Sequence, residues 1–471
     1  MKPLRAFSLD ALRGYAILTM VLSGQIASGV LPAWMYHAQV GPRSGGAFDP
    51  SWVGITWVDL VFPFFLFAMG AALPFSLGGK LERGVSKWRL VWQSLLRCLR
   101  LAFFAIFIQH AYPHSLSQPQ DVRSWCLALV GFALLLPMFT RIKAAWPQWV
   151  KWAIELGGYA AALAFLLTAD YAGDRTFGLG YSNIIILVLA NMAFFGSVAY
   201  IATWRRPLAR LALLPFVMAI LLGSSTEGSW QAWLMQASPA PWLYRFLFLK
   251  YLFIVLPGTI AGEWMKKWLL ERQQLTPGAD TTPAGIAAAT ALLSLALIVC
   301  NLYGLYTREL VLNLALTTAL LAVLWLVVRR VSGAEHTYWR RLLMAGAYLL
   351  MLGLFFEAFE GGIRKDSSTF SYYFVTSGLA CFALIALSVV CDIYRTCGWT
   401  RVLEMPGQNP MVAYVAPQLL VLPLINLAGL GPWLNSLCDT PFEGLMRGVI
   451  VTALAMAVAS LFTARRWMWR T

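Results

Sequence analysis

Charge is scarce in this sequence. Only 12% of its 471 residues are Asp, Glu, Lys or Arg, while 59% are hydrophobic and the mean hydropathy is +0.67. An average soluble domain carries about 25% charged residues, so a water-soluble globular fold is excluded. Acidic residues are the scarcer sign, 21 against 36 basic ones, for a net charge of +15. The seven cysteines (Cys98, Cys126, Cys300, Cys381, Cys391, Cys397 and Cys438) are scattered, and no pair has metal-ligand spacing. They indicate no disulfide framework and suit apolar packing. Long polar stretches are missing too: the longest, "KKWLLERQQLTPGADTTPAG" (266–285), is a connector rather than a domain. No internal repeat stands out, so an inverted-repeat transporter has no direct support.

What the chain does have is apolar runs of membrane-crossing length, about 20 residues each. Fourteen candidate spans fall at 11–31, 57–78, 91–112, 124–140, 152–168, 183–203, 208–223, 242–264, 283–303, 309–328, 339–359, 371–391, 409–428 and 445–463. The runs 208–223 and 409–428 are short enough to be tilted or re-entrant. The expectation is an all-α polytopic transmembrane bundle of roughly 11–14 spans forming one domain, 1–471. A cytoplasmic connector at 265–282 would join halves 1–264 and 283–471. The first run is no signal peptide, because Asp10 and Arg13 interrupt its start and no small-residue cleavage site follows. Counting Lys and Arg between spans gives a strong alternation. The amino terminus and segments 79–90, 141–151, 204–210, 265–282, 329–341, 392–402 and 464–471 hold 24 of the 36, the other loops 6 and the spans 6. By the positive-inside rule both termini are cytoplasmic, and the basic balance reflects topology rather than nucleic-acid binding. Tryptophans in "SWQAWLMQASPAPWLYRF" (229–246) and "RRWMWR" (465–470) fit interfacial belts.

Ionisable residues within the hydrocarbon layer are costly and mark partners or pathways. Asp10 and Arg13, three apart, share a helix face as an ion pair. Arg97 and Arg100 sit early in the third span. Asp59 opens the second at the outer face. Arg245, Lys250 and Glu263 fall in the eighth, and Glu357 and Glu360 close the eleventh before Arg364 and Lys365. Each alone is explained by a register-fixing ion pair. Together they set arginines near the inner face and carboxylates and histidines near the outer one, a layout that suits a polar path with an anion-binding inner mouth. His110 and His114 have the i,i+4 spacing of a helical metal pair, but Pro113 intervenes and no third ligand has motif spacing, so no metal is expected. His37 lies in the first outer loop, next to spans that carry buried charge.

The stretch "SLDALRGYAILTMVLSG" (8–24), the loop "WMYHA" (34–38) and "GITWVDLVFPFFLFAMGAALPFSL" (54–77) together resemble the membrane-bound heparan-α-glucosaminide N-acetyltransferase family. They resemble more closely its bacterial relatives, mostly labelled as a domain of unknown function. "KYLFIVLPGTIAGEW" (250–264), "IRKDSSTFSYYFVTSGLA" (363–380) and "GQNPMVAYV" (407–415) add to the likeness. The resemblance implies acetyl transfer from cytosolic acetyl-CoA to an amino sugar or glycan across the membrane, with the central chemical role at a histidine that matches His37. It also implies a homodimer in a lipid bilayer, here the bacterial inner membrane. In the animal enzymes that histidine stands nearer the second span. Asp49 holds the ungapped position here, and His37 matches with "QVGPRSGGAF" as an insertion. Gly24, followed by Gln25, replaces an asparagine of the animal enzymes.

Acyl transfer needs a proton acceptor near neutral pH, which an imidazole supplies either as general base or as transient acyl carrier. Asp59 or Asp49 would orient His37. Gln25 or Asn409 would donate to the oxyanion, a contact typically worth about 3 kcal/mol. Arg13, Arg97 and Arg100 would hold the CoA phosphates at the inner side. The alternative from another class is a transporter or flippase of envelope sugar precursors with no chemistry of its own.

Overall fold

A computed structural model of the protein describes residues 5–42, 46–141, 146–173, 175–274, 282–331, 333–394, 398 and 400–470. Cys397 and residues 275–281 of the connector lie outside the described residues. Among the described residues the fold is all-helical, and the one β-bridge joins Thr140 to Trp469. Twelve helices among these residues are long and apolar enough to cross a membrane.

In chain order the bundle comprises α1 (Phe7–Ser23), α2 (Trp57–Glu82), α3 (Lys87–Ala111), α4 (Val122–Phe139), α5 (Gln148–Thr168) and α6 (Ile184–Ala202). Then come α7 (Pro207–Gly223), α8 (Phe246–Gln274), α9 (Ala284–Thr307), α10 (Leu310–Val328) and α11 (Gly333–Phe359). The chain finishes with α12 (Phe370–Ile393), α13 (Arg401–Gln408), α14 (Pro410–Leu427) and α15 (Pro441–Ala464).

Two predicted spans come out shorter. The run 11–31 is helical only as Phe7–Ser23, 17 residues, and α7 covers 17 residues with a break after Leu211. After α1 the chain turns, and Ile26 and Ala27 press onto Gly448 and Gly444 of α15 while the Ala27 N–H donates to the Gly444 carbonyl at 3.2 Å. The apolar character of 26–31 thus serves packing on α15, not a longer span. The connector is also shorter than its composition suggests, since α8 stays helical to Gln274. The Trp268 ring stacks on Tyr338 at 4.5 Å and Arg272 pairs with Glu335 at 3.2 Å, so this polar-looking stretch has a buried face.

Helices α2, α8 and α12 are the most enclosed, and α5 and α10 the least. Small residues let the inner helices touch backbone to backbone, the usual basis of helix association in lipid. A Cβ on Gly258 of α8 would stand 2.4 Å from the Phe67 carbonyl oxygen, and one on Gly262 2.2 Å from that of Ala71. The G-x-x-x-G of "GTIAG" therefore welds α8 to α2.

One end of the bundle gathers segments from all along the chain. Asp392 accepts the Phe7 and Ser8 N–H groups at 2.9 and 3.3 Å, Arg272 donates to the Asp392 carbonyl at 2.9 Å, and Lys266 pairs with Glu82 at 2.8 Å. These residues belong to the cation-rich segments. The opposite end collects His37, Asp59, Lys365 and Asp366.

Candidate active site

Asp59 has two tasks, one per oxygen. Its Oδ2 accepts the Thr56 N–H at 2.9 Å and the Ala38 N–H at 3.3 Å, closing a capping box with Thr56 at the start of α2. This is the ordinary reason for an aspartate at the third position of a helix. Its Oδ1 faces the His37 Nε2 at 3.1 Å and the Lys365 Nζ at 4.0 Å. The carboxylate is fully buried, and a buried charge needs such partners. The Tyr372 hydroxyl donates to the Asp59 carbonyl at 2.8 Å and ties α12 to the same turn.

His37 is held from both sides. Its Nδ1 accepts the Gln39 N–H at 3.1 Å, which puts the ring hydrogen on Nε2, between Asp59 at 3.1 Å and the Asp366 Oδ2 at 3.4 Å. The His37 side chain is 14% exposed and that of Asp366 49%. Contact with the imidazole, then Lys365 nearby, holds the Asp366 carboxyl below the usual carboxylate range despite partial burial.

Gln39, fully buried, sets this geometry. Its side-chain oxygen accepts the Asp366 N–H at 2.9 Å, and its amide nitrogen donates to the carbonyls of Asp366 and, at 3.2 Å, Pro50. The Gly54 N–H adds a bond to the Ile363 carbonyl at 2.8 Å. Gln39, Pro50 and Gly54 are thereby clipped to the distant loop 360–369.

The remaining predicted residues fall elsewhere. Asp49 is half-buried and accepts from the Ser51 N–H and hydroxyl at 2.8 and 2.6 Å, contacts that hold its carboxyl below the usual range. The carboxylates that the structure brings to the imidazole are those of Asp59 and Asp366 rather than Asp49. Gln25 is half-buried in the turn after α1, its N–H on the Leu22 carbonyl. Asn409 is buried where α13 meets α14, donating to the Trp467 carbonyl at 3.0 Å and accepting the Trp469 N–H at 3.2 Å. Both of its amide groups are engaged with the carboxyl-terminal segment, at the cation-rich end. The His110 Nδ1 donates to the Ile106 carbonyl at 2.8 Å, and its ring sits among Tyr171, Phe177 and Tyr181.

Arg13, Arg97 and Arg100 do converge. They line one cavity of about 730 Å³ together with Lys80 and Arg470, and among the described residues no carboxylate lines it. Asp10 stands 3.8 Å from Arg13 and 3.1 Å from Arg5, the predicted pair with an extra cation. Arg100 pairs with Glu155 of α5. One face of α2, running Phe62, Phe65, Met69, Leu73, Ser76 and Lys80, forms a wall of this cavity. From Phe62 to Lys80 that wall is about 27 Å long at 1.5 Å per residue. Asp59 lies one turn beyond Phe62 on the same face. Between them stands an aromatic layer, with the Phe62 ring 5.4 Å from Tyr251 and Tyr251 5.3 Å from Tyr373, whose hydroxyl meets the Ser368 Oγ at 2.6 Å.

A family model described as a domain of unknown function, DUF5009, matches residues 5–265. The chain is 37% identical over 194 residues to heparan-alpha-glucosaminide N-acetyltransferase of Homo sapiens, covering 35% of this chain and 26% of that protein. The Mus musculus protein of the same name is 35% identical over 92 residues, 19% of this chain and 12% of its own length. The chain therefore spans about a quarter, or less, of the curated relatives it matches.

Proposed function

This chain belongs to the DUF5009 family, and from that premise we propose that it is a transmembrane acetyltransferase. It moves an acetyl group from acetyl-CoA at the cation-rich end to an amino sugar or glycan acceptor at the His37 end. The observation that carries the reading is that one face of α2 serves both groups, lining the five-cation cavity along its length and holding His37 through Asp59 at its start.

Phosphates suit the guanidiniums of Arg13 and Arg97, and the pantetheine arm suits the apolar middle of the cavity. The thioester would pass the Phe62–Tyr251 layer to reach the imidazole. There the acceptor nitrogen attacks the thioester carbonyl, the C–N bond forms and the C–S bond breaks. The acceptor's proton passes to the imidazole and then to the departing CoA thiolate. Asp366 and Asp59, both beside Nε2, orient the ring and leave Nδ1 as the basic nitrogen, the division of labour of a triad. The Gln39 N–H covers Nδ1 at rest, so the acceptor must displace it. An acyl-carrier route would use that same nitrogen, and trapping an acetyl-imidazole would identify it. The name shared by the two relatives supports the acetyl and glucosaminide chemistry. The charge alternation supports a cytosolic cation-rich end, hence cytoplasmic termini in a bacterial inner membrane.

The test is to incubate purified protein with labelled acetyl-CoA and a panel of amino sugars. Acetylated product is expected. Vesicle uptake of unmodified sugar with no acetylated product would favour the transporter instead. Gln39→Ala is expected to lower the transfer rate by about tenfold to a hundredfold, because slight misplacement of reacting groups is costly. Acetyl-CoA affinity should stay unchanged in that variant, and an unaltered rate would remove the clip between loops from the account.

A further inference from the structure

A second cavity, about 680 Å³, lies on the opposite side of α8 and is lined almost wholly by apolar side chains of α7, α8, α11 and α12. Helix α8 turns its Gly258 and Gly262 face to α2 and its Pro257, Ile260 and Trp264 face to this groove. The groove exists because α7 is short and broken after Leu211 and leans on α8 through one polar tether. The buried Arg210 of α7 meets Glu263 at 2.9 Å and Thr259 at 2.9 Å. Those charges offset each other and leave the groove walls greasy.

The mouth at the cation-rich end is different. Arg206 directly precedes the lining residue Pro207. Lys267 lies one turn beyond Trp264 on the same face of α8. Arg341 lies one turn before Ala345 on the groove face of α11. All three are exposed, and Arg205 adjoins Arg206. Among the described residues, Lys267 pairs with Glu271 at 3.8 Å. Three helices thus present a cationic rim to one end of an apolar slot, the composition that suits a phosphate above an acyl chain.

We propose that this groove binds an anionic phospholipid of the leaflet at the cation-rich end, acyl chain along α8 and α11 and phosphate among Arg206, Lys267 and Arg341. The lipid would fill the gap that the short α7 leaves and clamp that helix to the bundle. The site is independent of the acetyl-transfer chemistry.

The experiment uses the full chain in detergent, with lipid binding read by native mass spectrometry and by thermal unfolding against phosphatidylglycerol, phosphatidylcholine of the same chains, and inorganic phosphate. Wild type should retain phosphatidylglycerol preferentially and gain thermal stability from it, and gain none from phosphate. The triple variant Arg206→Gln, Lys267→Gln, Arg341→Gln should lose that preference by on the order of a hundredfold. Leu349→Trp, which fills the groove, should weaken both lipids, and Arg341→Gln alone should give a partial loss in a fold with one exposed change. Equal retention of the two lipids by wild type, or an intact preference in the triple variant, would overturn the site.

Discussion

Replacing His37 by alanine is expected to reduce acetyl transfer by about 10²- to 10⁴-fold, the range that positioned acid–base groups contribute. The substitution should leave acetyl-CoA affinity as it was, because His37 is not among the residues lining the five-cation cavity. The fold should persist at some cost in stability, since the loss removes the bond from the Gln39 N–H and the Nε2 contacts to Asp59 and Asp366 in a surface loop. The oxygen of Asp59 that faces it, Oδ1, keeps Lys365 at 4.0 Å. Asp59→Asn would be a poorer probe, because Oδ2 also caps α2 and losing a cap typically costs about 1 kcal/mol. His37→Ala therefore separates chemistry from folding. A variant that transfers acetyl at the wild-type rate would remove the imidazole from the mechanism.

Arg13→Gln combined with Arg97→Gln is expected to weaken acetyl-CoA binding by roughly a hundredfold or more, at about 1.5–3 kcal/mol for each bond to a charged group. Both side chains line the cavity, where their N–H groups would donate to the phosphate oxygens. Asp10, freed from Arg13, keeps Arg5 at 3.1 Å, so the double variant does not strand it. Arg100→Gln alone should cost less than tenfold, because that guanidinium is already paired with Glu155 and 41% exposed. The diagnostic is a split: KM for acetyl-CoA rises while kcat at saturation holds, the mark of lost ground-state binding. Isothermal titration with CoA reads the same change without turnover, and an unchanged Kd would take the arginines out of the donor site.

The bundle was legible because each hydrophobic run had to match the membrane thickness, and twelve of the fourteen expected spans correspond, among the described residues, to helices long and apolar enough to cross. The two that differ, 11–31 and 208–223, come out as 17-residue helices: residues 26 and 27 pack on α15 instead of extending α1, and α7 is broken after Leu211. In the site, Asp59 and His37 were visible as a carboxylate and an imidazole flanking one span. Gln39 and Asp366 were not. Their contact joins positions 327 residues apart, and no periodicity links two loops that meet only when α2 and α12 pack together. Asp366 stood in a stretch already singled out, "IRKDSSTF", where neighbouring cations drew the attention. Lys80 and Arg470 were absorbed into the topological charge count, although both also line the cavity. Asn409, the candidate oxyanion donor of "GQNPMVAYV", stands beside Pro410. The proline breaks α13 from α14, and the asparagine is engaged in binding the Trp467 and Trp469 backbone at that junction.

The central claim is vectorial: the donor enters at one end of the bundle and the acceptor is modified at the other. Sealed proteoliposomes loaded with glucosamine and given labelled acetyl-CoA only outside test it directly. The account predicts labelled N-acetylglucosamine inside the lumen, formed without entry of acetyl-CoA and absent with His37→Ala. Product formed only when donor and acceptor share a compartment would contradict it.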